Sequence, residues 1–125
     1  MGDAVDDRIS GIVWSWLLYG THRLGAILAV SGERDVVGFA HYRPFPRTLH
    51  GNEACYLDDL YVAPAFRRLG IAEALVHQVR RIAGEQGWSE VRWVTTPENY
   101  GARRLYERLA TRSDLITFRT RLPRA

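Results

Sequence analysis

The stretch Asp59-Leu60-Tyr61-Val62-Ala63-Pro64-Ala65-Phe66-Arg67-Arg68-Leu69-Gly70-Ile71-Ala72 decides how this chain is read. Upstream, Cys55-Tyr56-Leu57-Asp58 begins the β-like run that it continues, and Ala63-Pro64 ends that run. Downstream, Ile71, Leu75, Val79 and Ile82 mark one face of a helix of about fourteen residues that stops at Gly84. The pattern is a strand, a tight turn and a helix. The first turn of a helix carries unpaired N–H groups and the positive end of the dipole, so it attracts phosphate. Gly70 lets a ligand approach the backbone, Ala72 is small, and Arg67 and Arg68 add charge at the rim. A Walker-type loop is excluded because Gly-Lys-Ser/Thr is absent, and the glycines of the dinucleotide fingerprint are missing too.

Working outward, Ile9, Ile12, Val13, Trp16 and Leu17 follow helical spacing, so the chain opens with an amphipathic helix ending near Gly20. Residues 24–30 and 36–42 are β-like runs separated by the turn chemistry of 31–35, which predicts a hairpin. Arg43-Pro44-Phe45-Pro46-Arg47 should break regular structure, since two prolines remove two donors, and a loop of about ten residues should follow through His50-Gly51-Asn52. Beyond the helix, 91–95 reads as a strand, and Thr96-Pro97 as an N-cap followed by a first-turn proline. Ala102, Leu105, Tyr106 and Leu109 give the next helix its buried face, and 115–122 closes the chain as a strand. The order predicts an α/β (α+β) fold with a mixed, mostly antiparallel central sheet and flanking helices. The unit 56–95 should be parallel and right-handed.

With 125 residues, 46% of them hydrophobic, the chain has material for one core, so residues 1–125 are expected to form a single domain. Seventeen basic residues against fourteen acidic ones give a net charge of +3, and every basic residue is arginine. That balance suits a polyanionic ligand. The arginines lie in ones and twos without a basic run, so no nucleic-acid partner is expected. Nothing approaches the roughly 18 apolar residues of a membrane helix, and Met1-Gly2-Asp3-Ala4-Val5-Asp6-Asp7 is acidic where a signal peptide is basic. A cytoplasmic protein with no membrane partner is expected. Cys55 is the lone cysteine and the histidines lack ligand spacing, so neither a disulfide nor a metal is expected.

The segment from Asp59 to Pro64, followed by Arg67-Arg68-Leu69-Gly70-Ile71-Ala72, resembles the pyrophosphate motif Gln/Arg-x-x-Gly-x-Gly/Ala of the GCN5-related N-acetyltransferases. Trp93-Val94-Thr95 and then Asn99, Ala102, Leu105 and Tyr106 resemble that family's second block, Asn-x-x-Ala-x-x-Leu-Tyr. The tail is similar to the branch holding histone, polyamine and D-amino-acid acetyltransferases. The resemblance implies an acyl-CoA N-acyltransferase fold, acetyl-CoA as co-substrate and a small or side-chain amine as acceptor. It implies that amides of Arg68, Leu69, Gly70, Ile71 and Ala72 hold the pyrophosphate, with Arg67 and Arg68 near the phosphates. Main-chain groups of Leu60, Tyr61 and Val62 would run beside the pantetheine arm, with Asn99 and Tyr106 on its far side. The family's usual first strand and helix are not found ahead of residue 9. Absence of that strand would leave the edge of the 24–30 strand unpaired unless the N-terminal residues or another chain cover it; two explanations compete, a start codon placed too late or a shortened protein that dimerises through that edge, and a homodimer is expected.

An amine with a pKa of about 10.4 is mostly protonated at neutral pH, which withholds about 4–5 kcal/mol from attack on a thioester. Asp58, Asp59 and Glu53 are the carboxylates nearest the cleft, and strand alternation puts Asp58 and Asp59 on opposite faces unless a β-bulge intervenes. Either could relay the proton; pairing with an arginine or the backbone is the competing reading. For Tyr106, periodicity alone reads as core, whereas its family position implies the general acid that meets the leaving thiolate. A backbone N–H near Tyr61 or Val62 would hold the oxyanion. His41 lines the acceptor site or is a half-buried histidine with one hydrogen bond. Trp14 and Trp16 cannot share a helix face, so one should be exposed. The alternative to an active enzyme is a degenerate member of the same fold that binds CoA or a partner without turnover.

Overall fold

The computed structural model describes residues 7–20, 22–32 and 34–123. In chain order the elements are α1 (Asp7–Tyr19), β1 (Gly25–Val30), β2 (Val36–Arg47), β3 (Asn52–Val62), a 3-10 turn at Pro64–Phe66, α2 (Ile71–Gln86), β4 (Val91–Arg92) and α3 (Tyr100–Leu109). The strands lie in the order β1-β2-β3-β4, with β1, β2 and β3 antiparallel and β4 parallel to β3. The mixed sheet with helices is the α+β fold that the element order predicts. Met1–Val94 forms one compact unit, which holds the sheet, and Thr95–Ala125 a second, which holds α3.

β2 runs straight through Pro44 and Pro46, where the sequence predicts a break. Alternation explains why. Cys55 N–H bonds Glu90 O at 2.8 Å and Glu53 O accepts from Ser89 N–H at 2.9 Å, so these two residues of β3 turn their backbones away from β2. Pro44 and Pro46 are their register partners and so occupy non-hydrogen-bonded positions. Pairing of β2 with β1 ends at Tyr42, which leaves the proline nitrogens facing an open edge where no donor is required. The expected ten-residue loop contracts accordingly: β3 starts at Asn52, and the N–H groups of His50 and Gly51 both bond Arg47 O, at 3.0 and 2.9 Å, with Gly51 at φ 66.

α2 also outruns its expected end, passing Gly84 and stopping at Gly87, whose φ of 76 is open to glycine. Trp88 N–H then reaches back to Ala83 O at 2.9 Å, and its ring stands 6.5 Å from that of Tyr42, so packing after the cap fixes the stop. Leu75, Val76 and Val79 are buried against the sheet, each contributing roughly 1.5–3 kcal/mol by leaving water. On the sheet, Val37, Ala40, Ala54, Cys55, Leu57 and Val62 are buried.

At the N-terminal side, Gly20 (φ 65) ends α1 with its N–H on Trp16 O at 3.1 Å. Trp14 is 61% exposed, whereas Trp16 lies with its ring 4.5 Å from that of His22, the split that a two-residue spacing on a helix requires. β1 is an edge of the described sheet, and residues 1–6, one expected cover for it, lie outside the described residues.

The expected strand at 91–95 pairs with β3 only through Val91 and Arg92. In the second unit, α3 is capped by Asn99 rather than Thr96: Asn99 Oδ1 accepts from Ala102 N–H at 3.4 Å, and Thr96 O instead accepts from Asn99 N–H at 3.1 Å in the preceding turn. The predicted strand at 115–122 is not formed. It joins no ladder, and Leu115, Ile116, Phe118 and Leu122 are all exposed; alternation alone does not make a strand without an edge to pair with. No helix among the described residues is long and apolar enough to cross a membrane.

Candidate active site

The register of β3 against β2 pairs Tyr56 with Arg43 and Leu57 with Tyr42, then jumps to Asp59 with His41. Asp58 is therefore an extra residue, a β-bulge. It reverses the expected placement of the two aspartates. His41 and Arg43 stand two apart on β2 and share a face. Asp59 Oδ2 lies 3.1 Å from His41 Nδ1, and Arg43 Nε donates to both oxygens of Asp58, at 3.2 and 3.0 Å. Both carboxylates thus turn to one face of the sheet instead of opposite faces. Aromatic rings frame them there, with Phe39 at 4.7 Å from His41 and 5.6 Å from Tyr61, and Arg43 lying 4.9 Å over Tyr56.

The two acids differ in setting. Burial pushes the Asp58 carboxyl above its ordinary value, against the opposing pull of Arg43. Asp59 is far more open, with 60% of its side chain exposed. Glu53 takes no part: it sits near the Asn52 end of β3 and binds Arg23 at 2.7 Å.

The bulge also changes which backbone groups face outward. Before it, Glu53 and Cys55 point toward β4. After it, Ala63 N–H bonds Val37 O of β2 at 2.8 Å, so alternation turns Tyr61 toward β2 as well and leaves Leu60 and Val62 pointing away. Since β4 pairs only with Cys55 and Tyr56, that far side of β3 has no ladder partner among the described residues from Leu57 onward. The open edge is thus served by Leu60 and Val62. Tyr61, expected beside them and as a possible oxyanion donor, turns its backbone the other way.

The edge leads directly into the turn. Val62 O accepts from Arg67 Nε at 2.8 Å, and the Arg67 guanidinium lies 5.8 Å over the Tyr61 ring, so Arg67 ties the turn to the strand end rather than standing loose at the rim. Arg68 (φ 66) and Gly70 (φ 82) both take left-handed backbone, which turns the chain into α2. No side chain caps the helix at Gly70, and the first helical bond runs from Ala74 N–H to Gly70 O at 3.0 Å. The amides ahead of Ala74, including those of Ile71 and Ala72, have no acceptor inside the helix. Leu69 and Arg68 are exposed on the turn. Clustered N–H groups, an exposed guanidinium and a dipole end suit a polyanion of the pyrophosphate kind.

In the second unit, Asn99 and Tyr106 lie two helical turns apart on α3. Asn99 Oδ1 is occupied by the cap, so its amide nitrogen is the group left to donate outward. Burial pushes the Tyr106 hydroxyl above its ordinary value, which keeps it protonated across the neutral range. Arg103 donates to Pro97 O at 2.8 Å and pairs with Glu107 at 3.7 Å. Among the described residues no group of three metal-ligating side chains is assembled.

Arg43 and Phe39 are the site-face residues that sequence reading missed. Their signal was the period of two in Phe39, His41, Arg43 and Phe45, hidden once Pro44 and Pro46 were read as ending the strand.

The Acetyltransferase (GNAT) family model matches residues 4–110. The chain is 35% identical over 100 residues to the D-amino-acid N-acetyltransferase HPA3 of Saccharomyces cerevisiae, covering 79% of this chain and 62% of that protein. It is 34% identical over 86 residues to the thialysine N-epsilon-acetyltransferase of Bos taurus, covering 66% of this chain and 50% of that one. It therefore spans less than two thirds of the length of these curated relatives. Among solved structures, the ribosomal-protein-alanine N-acetyltransferase of Brucella melitensis biovar Abortus 2308 matches with a TM-score of 0.78 at 26% identity, covering 96% of this chain and 83% of that one.

Proposed function

Because the chain belongs to the acetyltransferase (GNAT) family, we propose that it transfers an acetyl group from acetyl-CoA to a primary amine by direct attack, with Tyr106 as general acid. The observation that carries this reading is the continuity of the open β3 edge at Leu60 and Val62 with the amides opened by Gly70: one surface suits an amide-bearing arm and the next its diphosphate. Pantetheine amides would pair with the edge as an added strand does. The pyrophosphate would rest on the amides of Arg68, Leu69, Gly70, Ile71 and Ala72, with Arg68 at the rim and Arg67 holding the turn. By their family positions, Asn99 and Tyr106 would also contact CoA.

Direct attack is favoured over an acyl-enzyme because Cys55, the lone cysteine, is fully buried and its thiol is pushed up by burial to about 11. The amine nitrogen attacks the thioester carbonyl, the oxyanion is met by a backbone N–H of the open edge, and the C–S bond breaks. The departing thiolate has a conjugate acid near 8.5 against about 10 for an ordinary phenol, so full transfer from Tyr106 is uphill by about 2 kcal/mol or more. As general acid, Tyr106 therefore donates a hydrogen bond to sulfur as charge develops and passes its proton late, recovering one from water. Asp58 and Asp59 draw the cationic acceptor to the cleft face. Residues 1–125 act as one domain, which pairs with a second copy along the outer edge of β1; light scattering reads that mass.

The test is CoA release from acetyl-CoA with a panel of polyamines, lysine and D- and L-amino acids. At one hundred times its Kd, CoA should stabilise the fold by about 2.7 kcal/mol. Tyr106→Phe should keep that shift and lower kcat by about 100-fold. Turnover unchanged from pH 6 to 9 in that variant removes Tyr106 from the chemistry, and no melting shift with CoA removes the whole reading.

A further inference from the structure

Resting on that reading, we propose that His41 is the base that takes the proton of the acceptor amine, held in its accepting tautomer by Asp59, while Asp58 and Arg43 serve to pin the bulge. The contact of 3.1 Å between His41 Nδ1 and Asp59 Oδ2 decides the tautomer: a carboxylate only accepts, so Nδ1 carries the proton and Nε2 the lone pair. The ring is fixed on a second side by Phe39, 4.7 Å away and tilted by 35°. His41 keeps 18% of its side chain exposed and Asp59 keeps 60%, so a cation is drawn in by the open carboxylate while the imidazole beside it remains reachable. The pair stands across the β2–β3 ladder immediately before Leu60, the first residue after the bulge to face the open edge.

Asp58 is the less suited of the two acids. Both its oxygens already accept from Arg43 Nε, and a guanidinium does not release its proton, so protonating Asp58 means giving up that pair. As classes, carboxylates are weaker bases than imidazoles by roughly two to three powers of ten, which favours a histidine behind the cleft over a bare carboxylate. The charged groups facing His41 from the neighbouring strands are Asp58 and Asp59 on β3 and Arg43 on its own strand; Ala26 stands opposite on β1.

In the step itself, an N–H bond of the ammonium breaks, its electron pair stays on nitrogen as the attacking lone pair, and a new bond forms at Nε2. The resulting imidazolium is neutralised by Asp59 and returns its proton to water. Asp59 is in this scheme a positioning residue.

Two measurements test the pair. Nitrogen-15 shifts of the His41 imidazole in the unmodified protein near pH 8 should show the proton on Nδ1, and Asp59→Asn should relax that preference; a proton found on Nε2 in the unmodified protein overturns the proposal, whatever any variant does. In the CoA-release assay, His41→Gln should lower kcat/KM by about 100- to 1,000-fold at pH 7, with the deficit shrinking toward pH 9.5 as the amine loses its proton unaided. Its CoA-dependent melting shift should equal that of the unmodified protein. Activity within twofold at pH 7 overturns the proposal and leaves the acetyltransferase reading standing. An unmodified protein that releases no CoA with any amine overturns both.

Discussion

Arg68 offers a single substitution whose two effects have opposite sign. Its φ of 66 is left-handed backbone, which costs an L-residue roughly 1–2 kcal/mol. Glycine removes that strain but adds about 0.4–1 kcal/mol of unfolded-state entropy. Arg68→Gly should therefore stabilise the ligand-free protein by about 0.5–1 kcal/mol, a rise of roughly 2–5 °C in Tm for a chain of this size. The same change removes an exposed cation from the rim of the amide cluster. A hydrogen bond to a charged partner is worth about 1.5–3 kcal/mol, and solvent exposure reduces that to about 1 kcal/mol. CoA should bind about fivefold to tenfold more weakly. Thermal melts across a CoA titration read both numbers from one sample set. A variant that melts lower without ligand while its CoA affinity is unchanged would show that Arg68 supports the turn and never meets a phosphate, and the assignment of the rim would fall with it.

Gly70→Ala should be the mirror case: a built Cβ meets nothing within 4 Å, so the loss comes from φ 82 alone, roughly 1–2 kcal/mol, and CoA binding should weaken as the methyl stands among the amides. Calorimetry with and without CoA separates the two. Asn99→Ala should cost about 1 kcal/mol through the lost cap of α3, whereas Asn99→Asp, which keeps an accepting oxygen, should recover most of the melting temperature but not any contact made through the amide nitrogen. Stability should be flat with respect to the Cys55 thiol below pH 9 and should fall between pH 9 and about 11, because there the unfolded thiol ionises and the buried one does not; Tyr42 and Tyr106, both raised by burial, act in the same direction. Urea midpoints measured from pH 8 to 11 check the sign, and a midpoint that rises over that interval contradicts it.

The strand, turn and helix around Gly70 could be read from residues because each obeys a local rule: a β-like run, a glycine where φ turns positive, a helical apolar stripe. The errors came where pairing overrides local preference. Pro44 and Pro46 look like breakers until the register puts both on positions that donate nothing. Gly84 looks like a helix stop, but Trp88 packs only if the helix runs on to Gly87. Residues 115–122 alternate well enough for a strand, yet a strand needs an edge as well as a pattern. In the site, Gly70, Arg68 and Asn99 carry visible signatures. The coupling of Asp59 to His41 and of Asp58 to Arg43 does not, because it depends on which of two neighbouring acids lacks an opposite number across the ladder.

That unmatched residue is the one position at which β3 can lose a residue and keep its register. Asp58→Ala changes one side chain and leaves the count intact. Deleting Asp58 would make Leu57–Tyr42 and Asp59–His41 consecutive pairs, so Leu60 and Val62 would still face the open edge and Tyr61 would still face β2; what is lost is the carboxylate that Arg43 holds. Deleting Leu60 instead would let the ladder close only with Asp58 opposite His41 and Asp59 turned over. A gene library of this segment should accordingly tolerate loss of codon 58 better than loss of any codon from 59 to 62.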